Sequence, residues 1–97
     1  MKKLTIEEVQ AQQKAAEKLA KANGNRVEIW YNAETESFTL CELTGSDYMV
    51  SESPANFRIP RTLNYMGFEK KAEREADLER RTLAVIEEIN AWKEEQA

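Results

Sequence analysis

Residues 26–43, RVEIWYNAETESFTLCEL, carry the pattern that decides the fold. Val27, Ile29 and Tyr31 alternate with Arg26, Glu28 and Trp30, and a period of two places successive side chains on opposite faces of a strand. Phe38 and Leu40 resume the alternation after Asn32-Ala33-Glu34-Thr35-Glu36, whose residues favour a turn. The stretch is therefore expected to form an antiparallel hairpin over about residues 26–43, with one apolar face that needs cover. Further on, Thr44-Gly45-Ser46-Asp47 reads as a second turn, and residues 48–51 are the expected third strand. Pro54 and Pro60 interrupt any regular pattern, so residues 53–67 read as a connection, with a short helical turn opening at Pro60 and ending before Gly67.

Helices are expected on both sides of the hairpin. Thr5 and Glu8 have the S/T-x-x-E spacing of a capping box, with Leu4 and Val9 placed as its hydrophobic staple. The Ala, Gln, Glu and Lys residues that follow lose little side-chain entropy in a helix, and Asn23-Gly24 supplies a left-handed stop, giving a helix over about residues 5–23. Its apolar stripe is thin: Ile6, Val9, Ala16, Leu19 and Ala20. From Phe68 to about Glu95 no Gly or Pro intervenes. Phe68, Ala72, Ala76, Leu83, Ile86 and Ile89 fall near one face of a second helix, over about residues 68–95. At 1.5 Å per residue it would run about 42 Å, longer than the roughly 30 Å expected across a compact domain of this size. Its charged first half is expected to stand in solvent, supported by Lys71–Glu75 and Asp77–Arg81 pairs at i,i+4. The expected architecture is thus one α+β domain over residues 1–97: N-terminal helix, small antiparallel sheet of two to three strands, long C-terminal helix. With 97 residues there is room for a single core.

The net charge is -4, but its layout is uneven. Residues 1–25 carry five bases against three acids, residues 26–67 three against six, and no lysine occurs between Lys21 and Lys70. A broad basic face for nucleic acid is disfavoured by that balance. The longest uncharged apolar run, residues 83–86, is far short of a membrane span. Glu7 and Glu8 interrupt the place where a signal peptide would carry its apolar stretch. Cys41 is the only cysteine and suits a reducing compartment, so a cytoplasmic protein is expected.

The composition withholds several chemistries. There is no histidine, hence no usual general base for a Ser or Cys nucleophile and none of the commonest zinc ligand. Glycines 24, 45 and 67 are too scattered for a phosphate loop. Glu34 and Glu36 share a turn, and Glu69, Glu73 and Asp77 share a helix face, but such carboxylates are ordinarily a solvated surface. No catalytic, cofactor or metal site is assigned, and no enzymatic activity is expected.

What remains points to binding. Trp30 lies on the strand face opposite Val27, Ile29 and Tyr31, and together with Glu28, Glu34, Glu36 and Glu42 it forms the candidate partner-binding set. The corresponding expectation is a small interaction module, a regulator or inhibitor that occupies a partner protein's surface. The acidic middle favours a basic partner, in the manner of the phosphate mimicry used by small phage-encoded inhibitors. Leu83, Ile86, Ile89 and Trp92 form a candidate self-association stripe through which the C-terminal helix would pair with a second copy. The alternative is an accessory protein for nucleic acid that uses Arg58, Arg61 and Tyr65, interleaved with Phe57 and Phe68.

Overall fold

In the computed structural model, which describes residues 2–44, 53–61 and 70–97, the elements run α1 (Ile6–Asn23), β1 (Arg26–Asn32), β2 (Ser37–Leu43), β3 (Asn56–Ile59) and α2 (Lys71–Gln96). The architecture is α+β, with a three-stranded antiparallel sheet between the two helices in chain order. Spatially the sheet is ordered β2-β1-β3, so β1, the strand with the cleanest alternation, is central. Ile29 faces Leu40 on one side and Ile59 on the other, and Tyr31 faces Phe38 and Phe57. These residues share the inner face.

The third strand differs from expectation. It is Asn56–Ile59, within the segment read as a connection, while residues 48–51 and most of the helical turn expected from Pro60 lie outside the described residues. Four residues of NFRI have too little periodicity to signal a strand alone. They extend because β1 has an open edge whose backbone groups need partners. Pro60 follows the strand directly and favours extended geometry in the residue before it.

Both helices join the core on the inner face. Val9 and Ala16 of α1, and Ile86 and Ile89 of α2, cluster with Val27, Ile29, Tyr31 and Ile59. Helix α1 packs on β1 and β2, whereas α2 packs on β3 and on α1. The capping expectation holds in modified form. Glu8 donates its backbone N–H to Thr5 Oγ1 at 3.4 Å, but the Glu8 carboxylate accepts from the Thr5 hydroxyl at 3.1 Å. Leu4 and Val9 are both buried, as a staple requires. At the other end Gly24 has φ +70° and donates to the Ala20 carbonyl at 2.8 Å. A Cβ on Gly24 would meet nothing within 4 Å, so only backbone strain opposes a side chain there. Gly24→Ala is accordingly expected to cost about 1 kcal/mol and Gly24→Asn less, measured by urea denaturation.

Polar groups stitch the layers together at two levels. Gln13, buried on α1, donates through Nε2 to the Pro60 carbonyl and to Thr82 Oγ1, both at 2.9 Å, and the Thr82 hydroxyl donates to the Leu78 carbonyl at 2.7 Å. At the opposite end of α2, Asn90 accepts from the Leu4 N–H at 2.8 Å and donates to the Leu4 carbonyl at 3.1 Å. The chain before α1 is thereby tied to the last helix. The 26 residues of α2 span about 39 Å, close to the longest molecular dimension of 41 Å. Its first two turns are largely exposed, and Lys71 lies 3.8 Å from Glu75 and Arg81 2.9 Å from Asp77 in the expected pairs.

Candidate functional site

The alternation that sends Val27, Ile29 and Tyr31 inward sends Arg26, Glu28, Trp30 and Asn32 to the other face of the sheet. Register brings Trp30 directly opposite Arg58 on β3 and Thr39 on β2, and Glu28 opposite Cys41. The Trp30 indole donates to Glu28 Oε2 at 3.1 Å, and Glu28 Oε1 lies 3.4 Å from Arg58 Nη2. One carboxylate thus fixes the aromatic ring and the guanidinium beside each other. Trp30 is half-buried and Cys41 is buried, while the Arg58 side chain keeps 55% of its exposure.

Beside this cluster, where β1 begins and β3 ends, lies a pocket of about 410 Å³ lined by Arg26, Arg58, Arg61 and Arg81, together with Glu28 and Pro60. Four guanidinium groups from β1, β3, the segment after it and α2 meet there. Arg61 Nη1 donates to the Val27 carbonyl, and Arg81 Nη2 donates to the Arg61 carbonyl at 3.3 Å. Arg61 Nε is buried and has no hydrogen-bond partner among the described residues. Arg81 is held from behind by Asp77, which also accepts from Arg80. Desolvation of the Asp77 carboxyl pushes its pKa up, but the hydrogen bonds from Arg81 and Arg80 outweigh this and leave it below the ordinary value.

The hairpin acids are placed differently from one another. Asn32 Oδ1 accepts from the backbone N–H groups of Glu34 and Thr35, both at 2.9 Å, which tightens residues 33–36 into a turn. Glu36 there takes φ 57°, left-handed for a residue with a Cβ. Its carboxylate lies 3.2 Å from Lys93 Nζ and accepts from the Lys2 N–H at 3.2 Å. Lys93 is buried, and its ammonium also donates to Tyr31 Oη at 2.7 Å and to the Lys2 carbonyl at 2.8 Å. The hydrogen bond from Lys93 draws the Glu36 carboxyl below its ordinary pKa. Burial works against the Lys93 charge, yet hydrogen bonding to Tyr31 and Glu36 prevails and raises its pKa. Glu42 accepts from the Asn23 side chain at 2.6 Å, and Glu34 is exposed at the turn.

Of the candidate partner-binding set, then, Trp30 and Glu28 stand together, while Glu34, Glu36 and Glu42 are separate, the last two bonded within the chain. The self-association stripe is mostly used internally: Ile86 and Ile89 are buried in the core and Trp92 packs against it. Only Leu83, 48% exposed, remains available on that stripe, so a dimer through all four residues would require α2 to leave the sheet. Arg58 and Arg61 do meet, in the arginine pocket, and Tyr65 lies outside the described residues. Arg26 and Arg81 join them from distant positions that no local spacing connects. Among the described residues no group of three or more Cys, Asp or Glu is placed to hold a metal ion, and no helix is long and apolar enough to cross a membrane. No protein-family model matches the chain, and no curated protein or solved structure matches it.

Proposed function

We propose that the chain is a small protein-interaction module, a regulator or inhibitor that docks through the sheet face opposite its helices, with Trp30 and Arg58 as anchors. The observation that carries this reading is their cross-strand pairing, with Glu28 bonded to both. Trp and Arg are the side chains most enriched among residues that dominate binding energy, and a ring already fixed by its neighbours loses little entropy on contact. The partner favoured is an acidic surface with an apolar recess. Arg26 and Arg58 outnumber Glu28 on the described part of this face, and Glu36 and Glu42 have intramolecular partners. A basic partner, suggested by the acid count alone, is correspondingly less favoured.

The test is recovery of bound proteins with the tagged chain, followed by titration of each purified candidate. Arg58→Glu is expected to weaken the productive complex about 10-fold or more, while its melting temperature stays near that of the parent because Arg58 is more than half exposed. Unchanged affinity in both Arg58→Glu and Trp30→Ala, for every partner that binds, would reject this face.

A further inference from the structure

We infer that the pocket formed by Arg26, Arg58, Arg61 and Arg81 is a binding site for a phosphate monoester dianion. Four guanidinium groups and one carboxylate line it, a local excess of positive charge in a chain whose net charge is -4. Glu28 beside Arg58 and Asp77 behind Arg81 offset two of the four charges, and an anion seated among the groups would balance the remainder. Guanidinium groups present planar pairs of N–H donors that match phosphate oxygens, and converging donors from several elements suit a compact, doubly charged group.

The internal bonding indicates which donors serve a ligand. Arg81 is held by Asp77 and by the Arg61 carbonyl, which fixes its guanidinium at the pocket wall. Arg61 is anchored at Nη1 by the Val27 carbonyl while its Nε–H is buried without a partner among the described residues. A buried donor left unmade is costly, and an oxyanion at the pocket wall would satisfy it. Arg26 and Arg58 line the pocket from the adjacent strands β1 and β3. A volume of about 410 Å³ exceeds a phosphate group alone and falls in the range of small-molecule sites, which leaves room for the organic portion of an ester. An extended nucleic acid is the less suitable occupant: the four arginines surround one recess, whereas strand binding needs a basic track.

The pocket shares Arg58 and Glu28 with the proposed docking face, but small-anion binding is read directly and needs no partner protein, so either reading can fail without the other. The whole chain is titrated at low salt with phenyl phosphate, inorganic phosphate, neutral benzyl alcohol and a short single-stranded oligonucleotide, following arginine Nε–H resonances by NMR. Phenyl phosphate is expected to shift Arg61 Nε–H saturably and to bind more tightly than inorganic phosphate, with benzyl alcohol inert. Arg61→Gln and Arg58→Gln are each expected to weaken it about 10- to 100-fold, the usual effect of losing a charge-assisted contact. Arg80→Gln, outside the pocket lining, should leave it unchanged. Arg58→Gln keeps the test decisive should Arg61→Gln perturb the fold. Absence of a saturable shift, affinity equal to the parent's in both pocket variants, or oligonucleotide binding that is tighter and steeply salt-dependent would overturn the assignment.

Discussion

Replacing Ile29 with alanine is expected to lower the unfolding free energy by about 2–5 kcal/mol, the usual range for emptying a fully buried aliphatic site. Ile29 has no solvent exposure and lies at the centre of the middle strand, between Leu40 and Ile59. Both helices close over its neighbours, so little can move inward to fill the space. For a domain of about this length each kcal/mol corresponds to about 4–8 °C, so the melting temperature should fall by at least about 8 °C. Leu83→Ala, at a 48% exposed position, is the control and should change stability by less than about 1 kcal/mol. Parallel urea and thermal unfolding distinguish the two. A loss under about 1 kcal/mol for Ile29→Ala would contradict the packing of both helices on this face.

The second large effect is expected at Lys93. Lys93→Ala removes a buried stem and an ammonium that donates to Tyr31 Oη and the Lys2 carbonyl and pairs with Glu36. The Tyr31 oxygen and the Lys2 carbonyl then lose their donor, and a cost of about 2–3 kcal/mol follows from the lost hydrogen bonds and packing. Glu36→Gln should cost less, because the Glu36 carboxylate is partly solvated and water replaces its partner. The pH dependence has two limits. Glu36, whose carboxyl is lowered in the fold, contributes stability above its ordinary value of 4.5, and this is lost as pH falls through the lowered one. Lys93, whose pKa is raised, contributes fully below its ordinary value of 10.5, and this is lost as pH rises through the raised one. The difference in stability between the parent and Lys93→Ala should therefore be greatest between these limits and narrow on either side. A difference constant from acid to alkaline pH would mean that the Lys93 charge contributes nothing.

Much of the fold is legible locally because its signals are local. A side-chain cap at Thr5, a left-handed glycine after Asn23 and a period of two through Val27, Ile29 and Tyr31 each act over fewer than about eight residues. The third strand is not legible in this way. Asn56–Ile59 is a strand because β1 offers it an edge, and a four-residue segment reveals nothing of its distant partner. The same reason hides the polar ties: Gln13 and Thr82, 69 positions apart, and Lys93 and Tyr31, 62 apart, look like ordinary surface residues in a string.

The candidate site divides along the same line. Trp30's place on the outer face follows from strand alternation and is contained in residues 26–31. Its pairing with Arg58 depends on strand register, and the arginine pocket depends on β1, β3 and α2 arriving together. Sequence by itself determined the ends of α1, the hairpin and which face of β1 is apolar, since these follow from backbone preference and periodicity. Only tertiary structure decided that the α2 stripe serves the chain's own core, that Glu36 and Glu42 turn to partners within the chain, and that four scattered arginines share one recess. Burial and electrostatic pairing act through space, and their outcome exists only once the chain has closed on itself.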